Sequence, residues 1–223
     1  MKNNILIVSI LSIFILKNVN AQESANWKSE IGINLFQLPA TTIDLNYRIT
    51  NNPRYTVSIN SGYTFNYSNS YDLVGFFLSP HSKCANEGYK MTKQSGGFIN
   101  LGINYNFRKS FQKNNYFFIG ASINNSFISE YAEYQDLEIQ GSQVEKLDHD
   151  IYLFGFSGIV GYNFKIFNKL SSDLGLKISI PNSKFKELYG YENYIPGMGF
   201  MDTCNSNNVI FPLIFLNLKY EIN

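Results

Sequence analysis

Two histidines are the first residues to weigh for chemistry. A neutral imidazole can take a proton from a serine hydroxyl when an acid fixes its tautomer. His149 stands between Asp148 and Asp150, with Ser157 further along the same predicted strand, and His81 directly precedes Ser82. Neither gives a His-x-Ser spacing, and a histidine inside an acidic stretch is ordinarily solvated. The two cysteines, Cys84 and Cys204, show neither a CxxC redox pair nor metal-ligand spacing. They are either a disulfide joining two distant loops or two unrelated thiols. No phosphate-binding glycine motif occurs. The residues predict no catalytic residue, no cofactor and no metal site.

Two further stretches carry concentrated chemistry. One is acidic: Glu130, Glu133, Asp136, Glu138, Glu145, Asp148 and Asp150 stand against Lys146. Divalent cations suit such a run, but its order does not follow an EF-hand, so a solvated acidic loop is expected. The other is aromatic: Phe185, Tyr189, Tyr191, Tyr194 and Phe200. On a loop these rings either meet a partner or pack on one another.

The elements that position these residues start from an export signal. Lys2 precedes the apolar run Ile5–Leu16, and Val19-Asn20-Ala21 fits a small-residue cleavage site. The run falls short of the ~20 residues a spanning helix needs. Residues 1–21 therefore read as a cleaved signal peptide, and 22–223 as the mature domain. Gln22 rather than Cys follows the cut, which argues against a lipid anchor. Outside the cytoplasm the two thiols tend to oxidise.

The 223-residue chain carries 18 Lys+Arg against 17 Asp+Glu, with charged residues and aromatics each at 16%. That near-zero balance excludes a nucleic-acid binder, which needs a basic face for phosphates. The aromatic content disfavours disorder.

Beyond Trp27 the sequence alternates with period two. From Tyr55, the set Tyr55, Val57, Ile59, Ser61, Tyr63, Phe65 and Tyr67 interleaves with Thr56, Ser58, Asn60, Gly62, Thr64 and Asn66. Successive strand side chains point to opposite faces, so this is a strand signal. Segments at 29–38, 42–50, 54–67, 97–108, 116–129, 151–166, 170–180 and 209–222 read alike, which makes eight strands. Short turns at 51–53, 109–114 and 168–169 alternate with long polar loops at 68–96, 130–150 and 181–208, except for a short first hairpin around Pro39-Ala40. An even number of strands with short turns at one end and long loops at the other describes a transmembrane β-barrel.

The two faces support that reading over a soluble, lipocalin-like barrel. The polar face is mostly Asn, Ser, Thr and Gly, which suits the crowded interior of eight strands. Its sparse charges, Glu30, Asp44, Arg48, Asp173, Lys177 and Lys219, must find partners if buried, so a lumen charge network is expected. On the apolar face, aromatics gather at strand ends (Tyr63, Phe65 and Tyr67; Tyr152, Phe154 and Phe156; Tyr162 and Phe164) and aliphatics fill the middles. That is the girdle of a bilayer interface.

The last strand places Ile214, Leu216, Leu218, Tyr220 and Ile222 at every second position. It is similar to the C-terminal strand by which barrel assembly machinery recognises its clients, although Asn223 rather than an aromatic is last. Signal, strand count and final strand together resemble the small outer-membrane barrels of the OmpX/OmpA-barrel type, and the Asn-, Ile- and Lys-rich composition resembles such proteins of Bacteroidota. The resemblance implies an all-β, eight-stranded antiparallel up-and-down barrel in the cell outer membrane. It further implies a monomer in contact with outer-membrane lipid and lipopolysaccharide, without enzymatic activity, whose surface loops bind, adhere or support envelope integrity. Some barrels of this size resemble lipid A deacylases or acyltransferases, and that enzyme reading stays open as the alternative.

Overall fold

In the computed structural model, residues 27–67, 89–135, 143–188, 194–200 and 210–222 are described. The predicted signal peptide, His81, Cys84, Cys204, Tyr189 and Tyr191 lie outside them.

The period-two pattern builds ten strands in chain order: β1 (Lys28–Asn34), β2 (Thr42–Asn52), β3 (Tyr55–Tyr67), β4 (Tyr89–Asn106), β5 (Tyr116–Tyr134), β6 (Glu145–Lys165), β7 (Leu170–Pro181), β8 (Tyr194–Ile195), β9 (Gly199–Phe200) and β10 (Phe211–Glu221). Eight of them close into an antiparallel barrel in the order β1-β10-β7-β6-β5-β4-β3-β2. Each strand pairs with its sequence neighbours among these eight, and β1 meets β10 to complete the ring. The eight predicted strands are these eight. The closing seam runs from Glu30↔Glu221 to Asn34↔Asn217, extended by the Ile222 amide donating to the Ser29 carbonyl at 2.8 Å. Closure leaves no free sheet edge around the ring.

Several boundaries differ from the sequence reading. β1 stops at Asn34, not Leu38, because Pro39 lacks the amide a ladder requires. Leu35–Ala40 instead forms a 3-10 turn capped by the Asn34 side chain, which accepts from the Phe36 N–H at 3.3 Å. Strands β4, β5 and β6 run well into the stretches expected as loops. Their 18, 19 and 21 residues exceed the ~9–11 that cross a bilayer at a tilt. The acidic stretch is therefore largely strand: Glu130 and Glu133 lie on β5, and Glu145, Asp148 and Asp150 on β6. Asp136 and Glu138 fall outside the described residues.

The outer face is predominantly apolar, with Ser61 and Asn125 as polar positions in one row, Asn125 accepting from the Tyr152 hydroxyl. Ile59, Leu101 and Ile123 share one cross-strand row, and Tyr63, Gly97, Phe127 and Tyr152 the next row but one. Leu101 is 41% exposed, Ile103 54% and Phe156 59%. At the short-turn end Tyr55 packs on Tyr105 and Phe117 on Tyr162, with ring centroids 5.5 and 4.7 Å apart. At the other end Tyr63 meets Phe65 and Phe154 meets Phe156, both at 5.1 Å. Tyr67 departs from this pattern. The register shifts between Thr64 and Tyr67, and the irregularity turns Tyr67 inward, where it is fully buried.

Candidate functional site: the lumen and its two mouths

The barrel interior is layered. Near the short-turn end, inward positions on β1, β2, β7 and β10 bring together Glu30, Arg48, Asp173 and Lys219. Lys219 Nζ lies 3.0 Å from both Glu30 Oε2 and Asp173 Oδ1, and the Arg48 guanidinium grips the other oxygen of Asp173. Asn163 Nδ2 adds a hydrogen bond to Asp173 at 2.7 Å. Asp173 and Lys219 are almost fully buried, and only this mutual compensation makes such charges tolerable in a protein interior. Above the ion pairs, Tyr116, Phe118 and Phe215 form an apolar layer, and the Arg48 guanidinium sits 5.6 Å over the Phe118 ring.

The remaining two charges of the predicted network stand apart from these four. Asp44 accepts from Asn34 Nδ2 at 3.1 Å. Lys177 Nζ donates to Asn124 Oδ1 at 2.8 Å and to the Gly197 carbonyl at 2.6 Å. Asparagine amides surround them. Asn46 pairs with Asn60, and Asn124 donates to Ser157, which in turn meets Ser179 at 2.7 Å. A cavity of about 40 Å³ runs between Arg48 and Gly197, room for only a few waters. Among the described residues, the eight strands thus enclose a packed interior.

The long-loop mouth is filled by the chain itself. β8 and β9 form a two-stranded hairpin whose turn is closed by the Met198 amide donating to the Ile195 carbonyl at 2.9 Å. Pro196 and Gly197 occupy its two central positions, and Gly197 has φ +74°. That is the combination a type II turn requires. A Cβ on Gly197 would also sit 2.4 Å from the Phe98 ring, so the turn can enter the lumen only with glycine there. Three polar groups pin it: Lys177 and Asn100 donate to the Gly197 carbonyl, and Ser179 Oγ to the Met198 carbonyl. Around the hairpin, Ile128, Ile151, Leu153, Phe185, Leu188, Ile195, Met198 and Phe211 pack into one apolar cluster. Ala40, Tyr67, Tyr194, Phe200 and Leu213 form a second.

Of the five aromatics expected on this loop, Phe185, Tyr194 and Phe200 are therefore buried and pack on one another and on the barrel. This insertion was missed by the sequence reading. The signal for it was present in Tyr194–Phe200, a Pro-Gly turn between apolar pairs.

The His149 constellation is not assembled. On β6 the odd positions face inward, so His149 and its neighbours Asp148 and Asp150 point to opposite faces. Asp150 instead accepts from Ser129 Oγ at 2.6 Å. Ser157 shares the face of His149 but lies eight residues along, roughly 26 Å away at strand rise. The imidazole Nε2 is 3.8 Å from Glu130 Oε2, its cross-strand neighbour, and Glu130 Oε1 accepts from Gln94 Nε2 at 2.9 Å. Gln94, Glu130 and His149 make one polar row across three strands. Among the described residues, no group of three or more His, Cys, Asp or Glu could hold a metal ion.

Beyond that row β4, β5 and β6 leave the ring. Among the described residues, β3 pairs with β4 no further than Tyr67↔Gln94, and β7 pairs with β6 only from Gly155↔Pro181 onward. The three strands continue together to Tyr89↔Tyr134 and Tyr134↔Glu145. They form a ribbon standing above the apolar band.

At the opposite, short-turn mouth, Lys28 pairs with Glu221 at 2.9 Å. The Arg108 guanidinium lies 4.2 Å from the Tyr116 ring centroid and 5.2 Å from that of Phe111.

No protein family matches the sequence, and no curated protein matches it. Among solved structures, a crystal structure of a major outer membrane protein from Thermus thermophilus aligns with TM-score 0.40 and 13% identity, covering 88% of this chain and 98% of that one. So loose an overlap adds nothing to the strand order described above.

Proposed function

We propose that this protein is an integral outer-membrane β-barrel, exported through its cleaved signal peptide, whose work is done by the surface it presents beyond the bilayer and not by catalysis or transport. One observation carries the reading: a belt of mostly aliphatic exposed side chains, bordered at both ends by aromatics, encircles a barrel whose inside holds the ions and amides. A soluble barrel buries its apolar face and hydrates its polar one. This chain does the reverse, which is stable only where lipid replaces water outside. The amide-filled lumen and the hairpin in its mouth favour a plugged barrel over a pore. The separation of His149 from Ser157 speaks against the lipid A-modifying alternative.

In this reading the short turns face the periplasm and the β4–β6 ribbon projects outward beside the lipopolysaccharide. Recognition, adhesion or envelope support then falls to the ribbon and its neighbouring loops. The outward residues Leu216, Leu218, Tyr220 and Ile222 of the final strand offer the signal for the assembly machinery, and the chain works as a monomer.

Cell fractionation with gel electrophoresis before and after boiling tests this. The protein is expected in the outer-membrane fraction, released only by detergent, with a mobility that changes on boiling. Recovery in the soluble periplasmic fraction, without a heat-dependent shift, would overturn the reading.

A further inference from the structure

The wall of the short-turn mouth carries more cations than carboxylates. A cavity of about 160 Å³ opens there, lined by the cations Lys28, Arg48, Arg108, Lys165 and Lys169. Glu30 and Glu221 are the carboxylates on its wall, and both are already engaged, by Lys219 and Lys28. Among the described residues Arg108, Lys165 and Lys169 pair with no carboxylate. Arg48 forms part of the wall with its side chain 8% exposed, and its Nε–H, buried from solvent, has no hydrogen-bond partner among the described residues. That N–H has no surface open to water, so Arg48 meets the mouth cavity through the rest of its guanidinium, whose charge is shared with Asp173. Thr50, Thr56, Asn114, Asn163 and Ser171 line the same cavity with neutral hydrogen-bonding groups.

We propose that this mouth is a binding site for a phosphate-class dianion, with Arg48 as its floor and Arg108, Lys165 and Lys169 as its rim. The charge excess on the wall, five cations to two carboxylates, favours a multiply charged oxyanion over chloride. The volume admits a tetrahedral group with a few waters and excludes a large polyanion. Guanidinium and ammonium donors around buried polar walls are the usual recognition chemistry for phosphate. Lys165, Asn168 and Lys169 also border an open crevice on the barrel exterior beside Phe167 and Tyr220. The rim lysines thus border two places from which such a dianion can come: free phosphate in the mouth, and a lipid phosphomonoester against the barrel wall.

Isothermal titration of the folded full chain in an uncharged detergent with inorganic phosphate is the direct test, with gel mobility before boiling reporting the barrel separately. Saturable one-to-one binding that exceeds binding of chloride is expected. The pair Lys165→Gln with Lys169→Gln is expected to weaken it by about tenfold or more, the scale set by losing charge-assisted hydrogen bonds. Lys113→Gln, which alters the exterior crevice alone, is expected to leave it unchanged. In phosphatidylcholine nanodiscs, loss of phosphate binding on adding phosphatidate, whose phosphomonoester can carry two charges, identifies the lipid phosphate as the occupant; unchanged binding identifies free phosphate. Absence of phosphate binding by a barrel that still shows its folded mobility, or equal binding by the Lys165/Lys169 double variant, would overturn the site while leaving the membrane reading standing.

Discussion

The two halves of the lumen solve the same problem with opposite chemistry. Near the short turns, where the closing strands β1 and β10 meet, the interior is held by Arg48, Asp173, Lys219 and Glu30. Near the long loops it is held by Phe185, Phe211, Leu153, Met198 and the inserted hairpin. The difference follows from what the chain has available at each end. Short turns cannot reach back into the barrel, so strand side chains alone must fill the bottom. A long connection can fold into the top and bring its own apolar groups. The ionic half depends on every partner being present, whereas the apolar half tolerates loss in proportion to the volume removed.

Removing one partner from the ionic half is expected to have the largest effect. Asp173→Ala leaves Arg48 and Lys219 facing each other without their shared carboxylate and is expected to cost about 3–5 kcal/mol in urea unfolding from detergent micelles. Replacing the pair together, Arg48→Met with Asp173→Leu, keeps Lys219 on Glu30 and is expected to recover most of that loss, because no charge is then left unpaired. A double variant as unstable as Asp173→Ala would show that the layer is not held by charge compensation.

In the apolar half, Met198→Ala is expected to cost about 2–3 kcal/mol in the same assay, as a cavity in a packed cluster does. It is also expected to speed hydrogen exchange at the Met198 amide, which closes the hairpin turn. Exchange unchanged from wild type would mean that the cluster does not hold the hairpin.

The smallest effect is expected at the rim. Lys28 and Glu221 are each about one-third exposed, and Lys28→Ala is expected to change stability by less than about 1 kcal/mol. Added salt should erase even that difference while leaving the Asp173 effect intact, because screening reaches the rim and not the interior. A Lys28 effect as large as that of Asp173 would place the rim pair inside the buried network.

How much of this was legible in the sequence follows from which interactions are local. The inward and outward sets of β2, such as Asp44, Asn46 and Arg48 against Leu45 and Tyr47, can be read from alternation because strand geometry fixes them residue by residue. The six inward charges were legible as types. Their division into a cluster of four and a separate Asp44 and Lys177 was not, because it depends on registers between strands far apart in the chain. Tyr67 was misplaced because one irregularity between Thr64 and Tyr67 reverses its face. The upper parts of β4–β6 read as loop because Gln94, Glu133 and Asp148 are poor strand formers, held in place by pairing across the ribbon and not by propensity. The hairpin was legible as a turn but not as a plug, since its destination is set by Lys177, Asn100 and Phe98 on the barrel wall.

A membrane-spanning barrel requires that its outer belt meet lipid. The most direct measurement replaces Cys84 and Cys204 by Ser, introduces single spin labels at Ile99, Leu101 and Ile103 on β4 and at Tyr131 on β5, and compares accessibility to oxygen and to a water-soluble nickel chelate in bilayers. The account predicts that the three β4 positions are open to oxygen and closed to nickel, most strongly at Leu101, and that Tyr131 on the ribbon shows the reverse. Ready access of nickel to Leu101 would contradict it.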